Sequence, residues 1–130
     1  MMAREVIERY VAAYVSGDTS ELAAIIAPGF VDHTFPAFSG IDGVARGIGM
    51  LHAGLSEVSC VIERCVCEPE QAAFFAVASG LHTGVLAGHP ATGNRVTWTI
   101  ADFVRLEGGQ LVELWSVQDT LAYFKGLGAH

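Results

Sequence analysis

Between Val58 and Gln118 the chain is a series of apolar-rich extended runs cut by residues that cannot continue a strand. The runs cover about residues 58–67, 72–86, 95–106 and 110–118. Pro69, then Pro90 with Gly93, then Gly108-Gly109 separate them. The glycine pair is a hairpin signal, because tight hairpin turns need positive φ. It makes the last two runs antiparallel neighbours. Strand side chains alternate between faces. Val96, Trp98, Ile100, Asp102 and Val104 therefore share one face of their run. In an unbroken last strand, Leu111, Trp115, Val117 and Asp119 would do the same. Each of the two runs thus carries an acid in an apolar register.

The front of the chain reads as helix. Ile7, Tyr10, Val11, Tyr14 and Val15 recur at helical spacing, and Gly17 suits the stop. Asp18-Thr19-Ser20-Glu21 resembles a capping box opening a short helix through Leu22 and Ile26, which Pro28-Gly29 ends. Phe30 to Phe35 reads as a short extended segment. A third helix is expected from about Asp42 to Leu55, with Val44, Ile48, Leu51 and Leu55 as its stripe. Gly43, Gly47, Gly49 and Gly54 weaken it, by up to ~1 kcal/mol each. Their bare backbone would admit a strand or ligand at close range. Thr120 to Leu127 forms a last helix. The expected architecture is α+β: three N-terminal helices on a curved, mostly antiparallel sheet, shaped as a cone around an apolar pocket, in one domain spanning residues 1–130.

Composition narrows the function. Hydrophobic residues make up 52% of the chain, yet no run approaches the roughly 18 to 20 apolar residues that span a bilayer. The excess points to an apolar cavity that takes a small apolar molecule and to an apolar oligomer face. The net charge of -7, with seven scattered basic residues, argues against nucleic acid. The N-terminus turns charged at Arg4-Glu5 and has no signal-peptide core. Cys60, Cys65 and Cys67 lack a matching Cys/His pair at zinc-site spacing and read as core thiols of a cytoplasmic protein.

The candidate chemistry lies in four polar groups. A carboxylate in line with Trp115 and Val117 is costly to bury ionised, so Asp119 needs a partner, a raised pKa or an opening to solvent. The alternative is that the strand ends at Gln118 and Asp119 caps the following helix. Asp102 pairs roughly level with residues 115 to 117, and two acids in one pocket would push their pKa values apart. The alternative for Asp102 is a salt bridge to an Arg or an interface contact. His33 and His82 come from separate segments and matter only if they converge with the acids. His52, His89 and His130 read as solvated. Tyr10 and Tyr14 either pack in the core or line the pocket, and Trp98 and Trp115 join them as candidate ligand contacts. No metal-type spacing, serine elbow, phosphate loop or dinucleotide fingerprint is present, so no metal or cofactor is expected.

Several segments resemble the SnoaL-like polyketide cyclases, also called the ester cyclase family. They are Gly80-Leu81-His82-Thr83-Gly84, Gly88-His89-Pro90-Ala91-Thr92-Gly93, Val96-Thr97-Trp98, Gly109-Gln110-Leu111-Val112-Glu113-Leu114-Trp115 and Asp119-Thr120-Leu121. Val31-Asp32-His33 and Gly40-Ile41-Asp42-Gly43 fit as well. The resemblance implies the nuclear-transport-factor-2-like cone, frequent dimerisation and so a homodimer here, and cofactor-free ring closure by intramolecular aldol condensation. It places the family's acid/base aspartate at Asp119, with His33, His82 and Asp102 at pocket-shaping positions. The chain departs from its relatives at His89 and Leu114, where a charged or amide residue, or a His or Glu, is common.

Three readings follow. In the first, the chain is a cyclase or isomerase whose Asp119 exchanges a proton beside a carbonyl, with a neighbouring His or Asp102 stabilising the enolate oxygen. In the second, it is a non-catalytic module that shelters a small apolar ligand. In the third, it is an epoxide hydrolase, which would need an Arg between two acids; alternation puts Arg95 and Arg105 on the opposite face from Asp102.

Overall fold

The computed structural model describes residues 1–129. His130 lies outside the described residues. Helices α1 (Ala3–Ser16) and α2 (Leu22–Ile25) lead into strand β1 (Ile26–Asp32). A 3-10 turn (Pro36–Phe38) and helix α3 (Gly40–Gly54) follow. Strands β2 (Leu55–Cys67), β3 (Gln71–His82), β4 (Arg95–Glu107) and β5 (Gln110–Gln118) precede helix α4 (Thr120–Gly126). The five strands form one sheet in the order β1-β5-β4-β3-β2. Among the described residues only the β1–β5 pair is parallel. The α+β layout expected from the sequence is the layout found, with β1 threaded between the helices of the front half.

Local chemistry explains most boundaries. Gly17 ends α1 at φ 77°, with its N–H donating to the Ala13 carbonyl. Gly108 and Gly109, at φ 57° and 77°, make the β4–β5 hairpin. The glycines of α3 admit neighbours: a Cβ on Gly43 would sit 2.6 Å from the Phe38 backbone, and one on Gly54 2.4 Å from Leu86. The main core packs α1, α2 and α3 against the concave face of the sheet through Ile7, Phe30, Ile48, Val104 and Leu114. The hydrophobic effect rewards burial of that apolar surface.

Three local expectations are corrected. No capping box forms at residues 18–21: Asp18 Oδ1 accepts instead from the Ser20 N–H at 2.9 Å, a local Asx turn, and Glu21 caps α2 without a side-chain bond. Pro28-Gly29 does not terminate a helix; it lies inside β1, where the pairing with β5 shifts register. The third, and most consequential, lies in β5. Leu106 pairs with Leu111 while Arg105 pairs with Glu113, so Val112 is bulged out. One extra residue reverses the alternation beyond it. Leu114 and Ser116 therefore face inward, and Trp115 and Val117 face outward.

Candidate functional site

A cavity of about 350 Å³ opens between the concave sheet face and α1, α3 and α4. Its walls are mostly aromatic and aliphatic. Tyr10 and Tyr14 meet edge to face at 5.2 Å on the α1 side, and Trp98 meets Tyr123 at 4.8 Å on the α4 side. The polar groups cluster on one wall. Asp102 comes from β4, Ser116 and Gln118 from β5, and Asp32 from the end of β1. Register brings them together: Asp102 pairs with Ser116, and Asp32 pairs with Leu114 two residues earlier on the same strand.

Asp102 is the most perturbed group of this wall. It is 8% exposed, and its Oδ1 is buried without a hydrogen-bond partner. Burial pushes its carboxyl up to about 6, the Ser116 hydroxyl draws it back in part, and the Asp32 charge raises it again. Asp32 is 7% exposed. Its Oδ1 accepts from the Thr34 and Phe35 N–H groups at 3.0 and 2.8 Å. Burial raises its carboxyl above the usual range, and those two N–H bonds oppose the rise. Burial also holds the phenols of Tyr10 and Tyr14 above the ordinary tyrosine value, so both remain neutral donors.

A directional chain of hydrogen bonds runs along this wall to Ser116, beside Asp102. The Trp98 indole N–H donates to Gln118 Oε1 at 3.1 Å. Since an indole nitrogen can only donate, the Gln118 amide is fixed with its NH₂ turned the other way. That NH₂ donates to Ser116 Oγ at 3.1 Å. The Ser116 hydroxyl hydrogen is left to turn towards Asp102, its cross-strand neighbour.

The other residues singled out from the sequence lie elsewhere. Asp119 is exposed and caps α4, its Oδ1 accepting from the Ala122 N–H at 3.1 Å. It does not line the cavity. The expected burial beside Trp115 and Val117 is not met, because the Val112 bulge turned that face outward. Trp115 stacks on His33 on the outer sheet face, with ring centroids 4.6 Å apart. His33 Nε2 lies 2.7 Å from Glu113 Oε2, and Arg105 Nε donates to Glu113 Oε1 at 2.5 Å. Arg105 thus stands on the far side of the sheet from Asp102, as alternation required.

His82 is fully buried but supports a loop instead of the cavity wall. Its Nδ1 lies 2.9 Å from Thr92 Oγ1, and its Nε2 lies 3.2 Å from the His89 carbonyl. A carbonyl accepts only, so Nε2 carries the hydrogen and the Thr92 hydroxyl donates to Nδ1. His52 is not simply solvated: its Nε2 bonds the Tyr14 carbonyl at 2.6 Å. The two histidines and two acids therefore do not converge. Tyr10, Tyr14, Trp98 and Asp102 do reach the cavity. Asp32, Ser116 and Gln118 were missed. Alternation from buried Phe30 would have turned Asp32 inward and His33 outward. For Ser116 and Gln118 the signal was hidden behind the bulge.

Fold and cavity can be set beside known proteins. TsrD from Streptomyces laurentii superposes with a TM-score of 0.90 at 26% identity, covering 98% of this chain and 95% of its own. IdmH from Streptomyces antibioticus, described as a proposed polyketide cyclase, gives 0.82 at 24% identity over 97% and 98%. AclR from Streptomyces galilaeus, described as a proposed hydroxylase, gives 0.81 at 25% identity over 96% and 80%. No curated protein sequence matches the chain. A model of the SnoaL-like polyketide cyclases matches residues 4–127, the whole of the helix-backed sheet that builds the cavity. The chain belongs to the SnoaL-like polyketide cyclase family.

Proposed function

We propose that the chain is a cofactor-independent cyclase or isomerase that closes a ring in an apolar, polyketide-like carbonyl compound by an aldol-type step. The observation that carries this reading is Asp102: a buried carboxyl with an orphaned oxygen, on the wall of an otherwise apolar cavity. A carboxyl raised to about 6 is matched to proton exchange near neutral pH. Asp102 takes the proton from the carbon beside a carbonyl. The neutral phenols of Tyr10 and Tyr14 line the same cavity, and Tyr14, which accepts from Tyr10, is left to donate to the enolate oxygen. This assigns the acid/base role to Asp102 in place of Asp119, whose carboxylate is engaged at the α4 N-terminus.

The test is turnover of cyclic and polyketide carbonyl compounds by Asp102→Asn and Asp119→Asn. Loss of one general base lowers rate by roughly 10²–10⁴-fold. We expect that loss in Asp102→Asn and near-normal turnover in Asp119→Asn. The reverse pattern would return the role to Asp119. Binding without product in the wild type would favour the sheltering module.

We further propose that a second copy of the chain covers the outer sheet face. Phe75, Phe103, Trp115 and Val117 are exposed there by 38–74%, more apolar surface than a solvated sheet usually leaves. The three free thiols fit a reducing cytoplasm.

A further inference from the structure

The cavity is chemically one-sided. Among the described residues that line it there is no Lys, Arg or His. Its ionisable groups are Asp32, Asp102, Cys60 and the phenols of Tyr10, Tyr14 and Tyr123, and every one of them gains negative charge when it ionises. An anionic ligand would meet two buried carboxylates and nothing to neutralise it. One acid oxygen is also unspent: Asp32 Oδ1 is satisfied by two backbone N–H groups, while Asp102 Oδ1 is buried with no partner. A buried unpaired acceptor is costly, and a charge-assisted donor satisfies it best. The same cavity is walled by the rings of Phe74, Trp98, Tyr10 and Tyr123, whose π faces attract cations as well as flat apolar skeletons.

We propose that the molecule this cavity takes is a flat aromatic compound bearing a basic nitrogen, whose protonated N–H donates to Asp102 Oδ1. The inference rests on the cavity being the substrate site and names the class of its substrate. The nitrogen occupies one carboxylate oxygen and leaves the second for proton exchange at carbon. It also sets a proton balance. The groups facing Asp102 are Asp32 from β1, Tyr10 and Tyr14 from α1, Cys60 from β2 and Ser116 from β5, none of them basic. A cation arriving near pH 6 therefore ionises Asp102 and releases a proton.

Calorimetric titration of the intact protein tests this with three probes of one shape. These are 4-aminoquinoline, a cation at neutral pH; 1-naphthylamine, its neutral isostere; and 1-naphthoate, an anion. We expect the cation to bind about tenfold or more tightly than the neutral isostere, and the anion not to bind. In Asp102→Asn the preference collapses to about one while the neutral isostere keeps its affinity, which also reports an intact cavity. In the wild type near pH 6, buffers of different ionisation heat reveal proton release on binding the cation and none on binding the isostere, with no variant required. Equal affinity for the two isosteres, preference for the anion, no binding of the cation, or a preference that survives in Asp102→Asn would overturn the proposal. The experiment reads binding alone. A failed cation preference leaves the proton-transfer role of Asp102 standing, and a failed turnover assay leaves the cation preference standing.

Discussion

At the scale of the residue, Asp102 keeps the inward place that strand alternation gave it, while Asp119 loses its own to the Val112 bulge. Asp102 combines burial, a second acid and an unpartnered oxygen, three conditions that favour its protonated form. The consequence for stability has a definite sign. Folding raises this carboxyl to about 6, from an unfolded value near 3.9. The folded state therefore binds the proton more tightly. The resulting stability is complete below the unfolded value and is lost as pH rises through about 6. Asp32 is shifted in the same direction and adds to the effect. Replacing Asp102 by Asn removes the ionisation. We expect Asp102→Asn to be more stable than wild type at pH 8, by on the order of 2–3 kcal/mol. The difference should vanish towards pH 4. Urea melts at the two pH values measure it, and an Asn variant equally or less stable at pH 8 would count against a desolvated Asp102.

At the scale of the element, the loop between His82 and Arg95 shows what the end of β3 is for. Leu86 and Ala87 of this loop form part of the cavity wall, and the buried His82 imidazole ties the loop down through Thr92 and the His89 carbonyl. Replacing His82 by Ala strands both partners, at roughly 1–3 kcal/mol each for an unsatisfied buried group. Hydrogen exchange should quicken across residues 83–94 in His82→Ala while the β4–β5 hairpin stays protected; unchanged exchange in the loop would show that His82 does not anchor it. The elements also show how far the sequence could be read. The Gly108-Gly109 turn, the β4 register and the level of Asp102 against Ser116 follow from period-two alternation and turn chemistry, and all are found. A bulge leaves no such mark. Val112 is an ordinary strand residue, and only tertiary pairing decides that it is the one left over. That single residue turned Trp115 outward, hid Ser116 and Gln118, and made Asp119 look buried. Asp32 was legible and overlooked because the neighbouring imidazole of His33 drew the chemistry.

At the scale of the whole molecule, the two faces of the sheet divide the work. The concave face holds the cavity with its acids, and the convex face holds Phe103, Trp115 and Val117 beside the His33–Glu113–Arg105 cluster. If a second copy covers the convex face, a charge planted there breaks the pair without touching the cavity. Phe103→Asp should convert a dimer to a monomer in light scattering while leaving ligand affinity within about twofold, since strand alternation turns its side chain to the opposite sheet face from the cavity. A wild type that is monomeric at high concentration would remove the need for that cover. The family match and the shared fold describe the scaffold; which reaction runs on it is decided by the polar wall, because one fold serves many chemistries.

The polar wall is tested most directly by the side-chain pKa of Asp102, from carboxyl-carbon NMR titration with Asp102→Asn as the assignment control. A midpoint of about 6 is the expected result and marks a desolvated acid poised for proton exchange. A midpoint near ~3.9, the value of a solvated aspartate, would contradict the account.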